Sequence, residues 1–130
     1  MGHKITLGSR PKNFKHTVEV PMHEGTTGEI EVLYKYRTRT EFGAFVDGIL
    51  AEAQVAKPAN PDDIGNAVRQ AMAAMVDRNA QYLLQIMDGW NLDVDFNLVN
   101  AQQLCDEMPA AAAKLMDDYR MACIEGRLGN

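Results

Sequence analysis

A chain of 130 residues, 46% of them apolar, can build one hydrophobic core and is too short for two with independent sheets. Thirteen Lys and Arg against eighteen Asp and Glu leave a net charge of −5, which argues against duplex or phosphate-backbone binding because that needs a cationic footprint. No apolar stretch approaches the roughly 20 residues that cross a bilayer, and Met1 to Phe14 has no hydrophobic segment of signal-peptide length, so neither nucleic acid nor membrane is an expected partner and a cytoplasmic protein is expected.

Residues 1–40 carry seven basic and four acidic side chains, net +3, whereas residues 41–130 carry six and fourteen, net −8. The patterning changes near the same place. Phe14, His16, Val18, Val20 and Met22 alternate with Lys15, Thr17 and Glu19, the period of a strand with one buried face. Ile30, Val32, Tyr34 and Tyr36 repeat the pattern, and Glu24 to Gly28 supplies a hairpin loop. Ile5 and Leu7 are candidates for a short third strand.

From Phe42 the period becomes helical, with Phe45, Val46, Ile49, Leu50 and Ala53 on the same face, and Thr38 with Glu41 forms a capping-box pattern. This first helix is expected to reach Val55. Lys57 to Pro61 makes a connection, and Asp62 and Asp63 stand where carboxylates favour the start of a long second helix, expected to run to Asp88 before Gly89. A loop from Trp90 to Phe96 leads to Asn97, an N-cap for a third helix through Glu107. Pro109 opens a fourth, striped by Ala112, Leu115, Met116, Tyr119, Ala122 and Cys123, which runs to Glu125 before Gly126 stops it. The expected fold is α+β and mainly α, a single domain over 1–130. Its portion 1–39 is an antiparallel β-hairpin of two or three strands, and its portion 40–130 holds four helices, the second long.

Reactive chemistry finds little support. Ser9 sits in Gly-Ser-Arg-Pro, which matches neither a nucleophile elbow nor a phosphate loop. Cys105 and Cys123 lie on helical stripes, away in sequence from His3, His16 and His23, and read as buried free thiols. Asp93, Asp95 and Asn97 match the opening of a calcium-binding loop, but Leu98 stands where glycine is needed and Leu104 where a bidentate glutamate should close the sphere. Asp117 and Asp118, like Asp106 and Glu107, are neighbours on a helix, so they point about 100° apart and read as a solvated face. His16 reads as a satisfied histidine on the apolar side of its strand. The expectation is a protein without catalytic residues, metal or cofactor.

The apolar surface says more. On a helical wheel the second helix spreads Ile64, Ala67, Val68, Ala71, Met72, Met75, Val76, Tyr82, Leu83, Ile86 and Met87 across roughly 200°, about twice the width of a single core stripe. Either this helix is central and packed on both sides, or part of its surface meets another chain. Met72, Val76, Met87 and the nearby Trp90 are the candidate residues for partner binding or self-association. Eight methionines add adaptable, unbranched side chains suited to variable surfaces.

The last forty residues carry a recognisable pattern: Gly89-Trp90-Asn91-Leu92-Asp93, Phe96-Asn97, Leu104, Met108-Pro109 followed by alanines, Tyr119, Ala122 and Gly126-Arg127-Leu128-Gly129-Asn130. This resembles the tail assembly chaperones of long-tailed, non-contractile bacteriophages and prophages. Trp90, Leu92, Pro109 and Tyr119 match family positions as packing and turn residues, while Met108 stands where an aromatic residue often precedes the proline and Asn91 where an acid is common. The resemblance implies a non-enzymatic protein of the host cell cytoplasm. Such a protein binds the long, helical tape-measure protein, keeps it soluble, helps tail-tube subunits polymerise around it and is absent from the finished virion. It also implies a programmed frameshift that makes a longer form recruiting the tail-tube protein, with the chain ending at Asn130 as the unextended form. The apolar arc beyond the core is expected to drive client binding and self-association into a homo-oligomer. The rival reading is a structural virion component such as a tail-completion or connector protein. A third, a small enzyme using His16 or His23, requires those imidazoles to converge with carboxylates in a pocket.

Overall fold

The computed structural model describes residues 7, 8, 10–55 and 64–126, and for 50–55 and 64–67 the backbone alone. The expected strand residue Ile5, the connection 57–61, the helix start at Asp62 and Asp63, and the terminal motif beyond Gly126 lie outside the described residues.

Strands β1 (Asn13–Pro21) and β2 (Thr27–Lys35) form the expected antiparallel hairpin, with His16 opposite Val32 and Val18 opposite Ile30. Alternation separates the faces: Val18, Val20, Ile30, Val32 and Tyr34 are buried, while Lys15, Thr17, Glu19, Glu29 and Glu31 are exposed. The turn closes through Met22 N–H to the Thr26 carbonyl at 2.9 Å, and Gly25 adopts φ 85°, a left-handed conformation that a side chain would oppose.

Helix α1 (Arg39–Val55) starts at the expected capping box, now seen as a reciprocal pair. The Glu41 N–H donates to Thr38 Oγ1 at 3.2 Å, and the Thr38 N–H donates to Glu41 Oε1 at 2.8 Å. Helix α2 (Ile64–Ile86) is the long one. It ends before Asp88, and the next residues are extended: Met87–Trp90 is strand β3, antiparallel to β2, with Val32 opposite Trp90 and Tyr34 opposite Met87. The sheet order is β1-β2-β3. The third strand therefore comes from this segment and not from Leu7, which lies in a turn. Two gains favour it over a longer helix. Met87 enters the core, and Asn91 extends the ladder, its N–H donating to the Glu31 carbonyl and its Oδ1 accepting the Glu31 N–H, both at 2.9 Å.

Helices α3 (Leu98–Glu107) and α4 (Pro109–Glu125) have the expected ends. Asn97 Oδ1 accepts the Asn100 N–H at 2.9 Å, Pro109 occupies the first turn of α4, and Gly126 ends it at φ 71°. The helical layer covers the apolar face of the sheet. There Tyr34, Leu83, Ile86, Met87, Leu115 and Tyr119 form a core with Val18 and Val20. Buried aromatic rings pack through it, Tyr34 tilted against Tyr119 at 5.1 Å and Phe42 edge-on to Tyr119 at 5.9 Å.

Candidate partner-binding surface

At 1.5 Å per residue α2 is about 34 Å long and α3 about 15 Å, so α3 packs beside only part of it. The C-terminal half of α2 turns Ala80, Leu83 and Ile86 into the core. Stepping back along the same helix in threes and fours leads to Val76, which is half-buried, and then to Met75, Met72 and Val68, all exposed. Every residue from Val68 to Met75 is exposed, with Met72 showing 55% of its surface. The stripe that anchors the helix thus continues, exposed among the described residues and flanked by α3 at Met72 and Val76, along the half of α2 that precedes Ala80.

Beside it, Val99 of α3 is 70% exposed, and together with Met72, Ala73 and Val76 it lines a groove of about 660 Å³ between the two helices. Arg69, Asp77, Gln102, Gln103 and Asp106 also line the groove, and Gln102 Nε2 donates to Asp77 Oδ1 at 2.9 Å between the helices. A groove that mixes exposed apolar and polar side chains can seat the apolar face of another helix. Val99 was absent from the sequence candidates. Its signal was available: it is an apolar residue on the side of α3 opposite Ala101, Leu104 and Cys105, where only solvent is expected.

Of the four sequence candidates, the structure brings Met72 and Val76 together in this groove and separates the other two. Met87 is 1% exposed, a correction to its place on a partner surface: it lies at the end of the α2 stripe that Ala80 and Leu83 bury, and as the first residue of β3, opposite Tyr34, it packs in the core. Trp90 is half-buried, edge-on to Phe96 at 5.0 Å, and its indole N–H donates to the Val94 carbonyl at 2.8 Å. It pins the 91–97 loop, and it also lines a depression with Lys15, Leu33 and Asn91.

Several of the ionisable groups have structural partners. His16 Nε2 meets Asp118 Oδ2 at 2.9 Å, and Lys114 Nζ meets Asp118 Oδ1 at 2.9 Å, a chain tying β1 to α4. Asp118 is thereby corrected from a solvated face residue to a part-buried one, whereas Asp117 is exposed and pairs with Arg120. His23 Nε2 lies 3.0 Å from the Glu107 carbonyl, so the two imidazoles engage different helices. Arg37 donates to the Tyr119 hydroxyl and the Gln85 carbonyl, both at 2.9 Å, and lies over the Phe45 ring at 4.3 Å. Cys105 and Cys123 are buried free thiols, and burial pushes the Cys105 thiol up to about 11. Among the described residues no group of acids, histidines and cysteines is arranged to hold a metal ion, and no helix is long and apolar enough to cross a membrane.

A family model described as phage tail assembly chaperone matches residues 1–130, the whole chain. Comparison with curated proteins and with solved structures gives no match.

Proposed function

Because the chain belongs to the phage tail assembly chaperone family, we propose that it acts without catalysis, holding the tape-measure protein soluble while tail-tube subunits assemble around it. The observation that carries this reading is the stripe of α2 that is buried at Ala80, Leu83 and Ile86 and uncovered at Val68, Met72 and Met75. A long helical client has apolar faces of its own, and a groove lined by Met72, Val76 and Val99 offers such a face a helix-in-groove seat. Methionine suits a client whose sequence varies along its length, because its side chain re-packs at low energetic cost. The protein works in the host cell cytoplasm and leaves before the virion is complete. A frameshift-extended form of the chain brings the tail-tube protein to the complex.

Co-expression with fragments of the tape-measure protein tests this. The native chain keeps a fragment in the soluble fraction, and Met72→Glu combined with Val76→Glu abolishes that effect while the variant itself stays folded. A fragment equally soluble with the variant, or the chain retained in purified particles as a structural component would be, overturns it.

A further inference from the structure

The hydrogen-bond phase of the hairpin leaves one edge of the sheet open. Lys12 accepts from the Tyr36 N–H at 3.1 Å, and the register pairs Phe14 with Tyr34, His16 with Val32 and Val18 with Ile30. Even-numbered residues of β1 therefore exchange bonds with β2, and the N–H and C=O groups of Asn13, Lys15, Thr17 and Glu19 point away from it. No described residue bonds to them. Edge strands in soluble proteins are usually short, bulged, broken by proline or covered. β1 is nine residues long, pairs with β2 without a register shift, and has its proline only at the last position, Pro21.

We propose that this edge is a seam between two copies of the chain, with β1 pairing antiparallel to β1 of a second copy about Thr17. The sequence of the strand is self-complementary in that register. Thr17 stands opposite Thr17, and Lys15 stands opposite Glu19 of the second copy twice over, on the exposed face where the pair is free to form. On the covered face the same register sets Phe14 opposite Val20 and His16 opposite Val18, which continues the apolar layer across the seam. The outward-pointing groups at positions 15, 17 and 19 are the ones that meet, so every bond of the new ladder uses a donor or acceptor left over by the hairpin. Two three-stranded sheets become one of six. No residue of the α2–α3 groove takes part.

Charge reversal tests the register. The full chain is followed by sedimentation equilibrium, with circular dichroism to confirm folding. The native chain dimerises; Lys15→Glu alone and Glu19→Lys alone each weaken the dimer about tenfold, because each places like charges opposite one another at two points. An equimolar mixture of the two variants restores it, since Lys then meets Glu at both points. Glu19→Lys also sets a lysine opposite Glu29 in place of a like charge, so its weakening is not a folding defect. Thr17→Pro deletes an N–H that the hairpin does not use and abolishes the dimer while the monomer keeps its fold. A native chain that stays monomeric, a mixture no tighter than either variant alone, or a dimer indifferent to Thr17→Pro overturns the proposal.

Discussion

Tyr34 and Tyr119 exchange hydroxyl bonds across the interface between sheet and helices. Tyr34 of β2 donates to the Leu115 carbonyl of α4 at 2.8 Å, and Tyr119 of α4 donates to the Lys35 carbonyl of β2 at 2.9 Å. Their rings pack at 5.1 Å, and burial raises the pKa of both phenols, so each stays a neutral donor. Each bond satisfies a main-chain carbonyl on the opposite layer, which makes the pair a two-point clamp.

Tyr34→Phe is expected to cost about 0.5–1.5 kcal/mol, the net worth of one hydrogen bond, since the Leu115 carbonyl keeps its partner within α4. Tyr119→Phe removes the donor to Lys35 and the acceptor for Arg37 together. Urea unfolding of both single variants and the double variant should show coupling between them, because the two rings are in contact. Strict additivity would mean that the clamp acts as two independent bonds.

Met87 and Met72 make a contrast on neighbouring elements. Met87→Ala should destabilise the fold by about 2–5 kcal/mol, because a buried side chain is truncated in a packed core. Met72→Ala should change stability by no more than about 0.5 kcal/mol, the usual range for an exposed position. Thermal unfolding distinguishes them.

The Glu41 carboxyl is held below its ordinary range, first by the Thr38 backbone N–H and then by the Arg10 guanidinium, both of which favour the charged form. A depressed folded-state pKa contributes stability above the unfolded value, and that contribution is lost as pH falls through the folded value. Acidification should therefore loosen the first turn of α1. Carboxyl titration by NMR should find Glu41 below the ordinary glutamate range, and Arg10→Ala should move it part of the way back.

Buried Cys105, with its thiol pushed up to about 11, and Cys123, also raised by burial, should react slowly with a thiol reagent near pH 8. In denaturant both should react at once. Fast labelling of the folded chain at Cys105 would show that α3 opens readily.

The elements whose cause is local were legible in the sequence. Alternation marked β1 and β2, Thr38 and Glu41 marked the start of α1, and Asn97, Pro109 and Gly126 marked the ends of α3 and α4, because a cap or a turn is decided by a few neighbouring side chains. Strand β3 was not legible. Met87 to Trp90 is four residues long, too short for alternation to show, and it is extended because β2, more than fifty residues earlier, offers an unpaired edge. The candidate surface was half legible: the wheel gave a stripe that holds both exposed Met72 and buried Met87, and periodicity does not say which end of a stripe the core covers.

The sequence by itself determined an apolar surface on α2 wider than one core stripe, a buried face on each strand and membership of a recognisable family. Only the tertiary structure decided which part of that surface is used internally. Ala80, Leu83 and Ile86 are buried while Val68, Met72 and Met75 are exposed, since a 10-residue helix beside a 23-residue one leaves apolar length uncovered among the described residues. The same holds for His16, whose partner Asp118 lies 102 positions away and becomes its neighbour only when α4 packs on β1. Periodicity fixes which way a side chain points, and packing fixes what it meets.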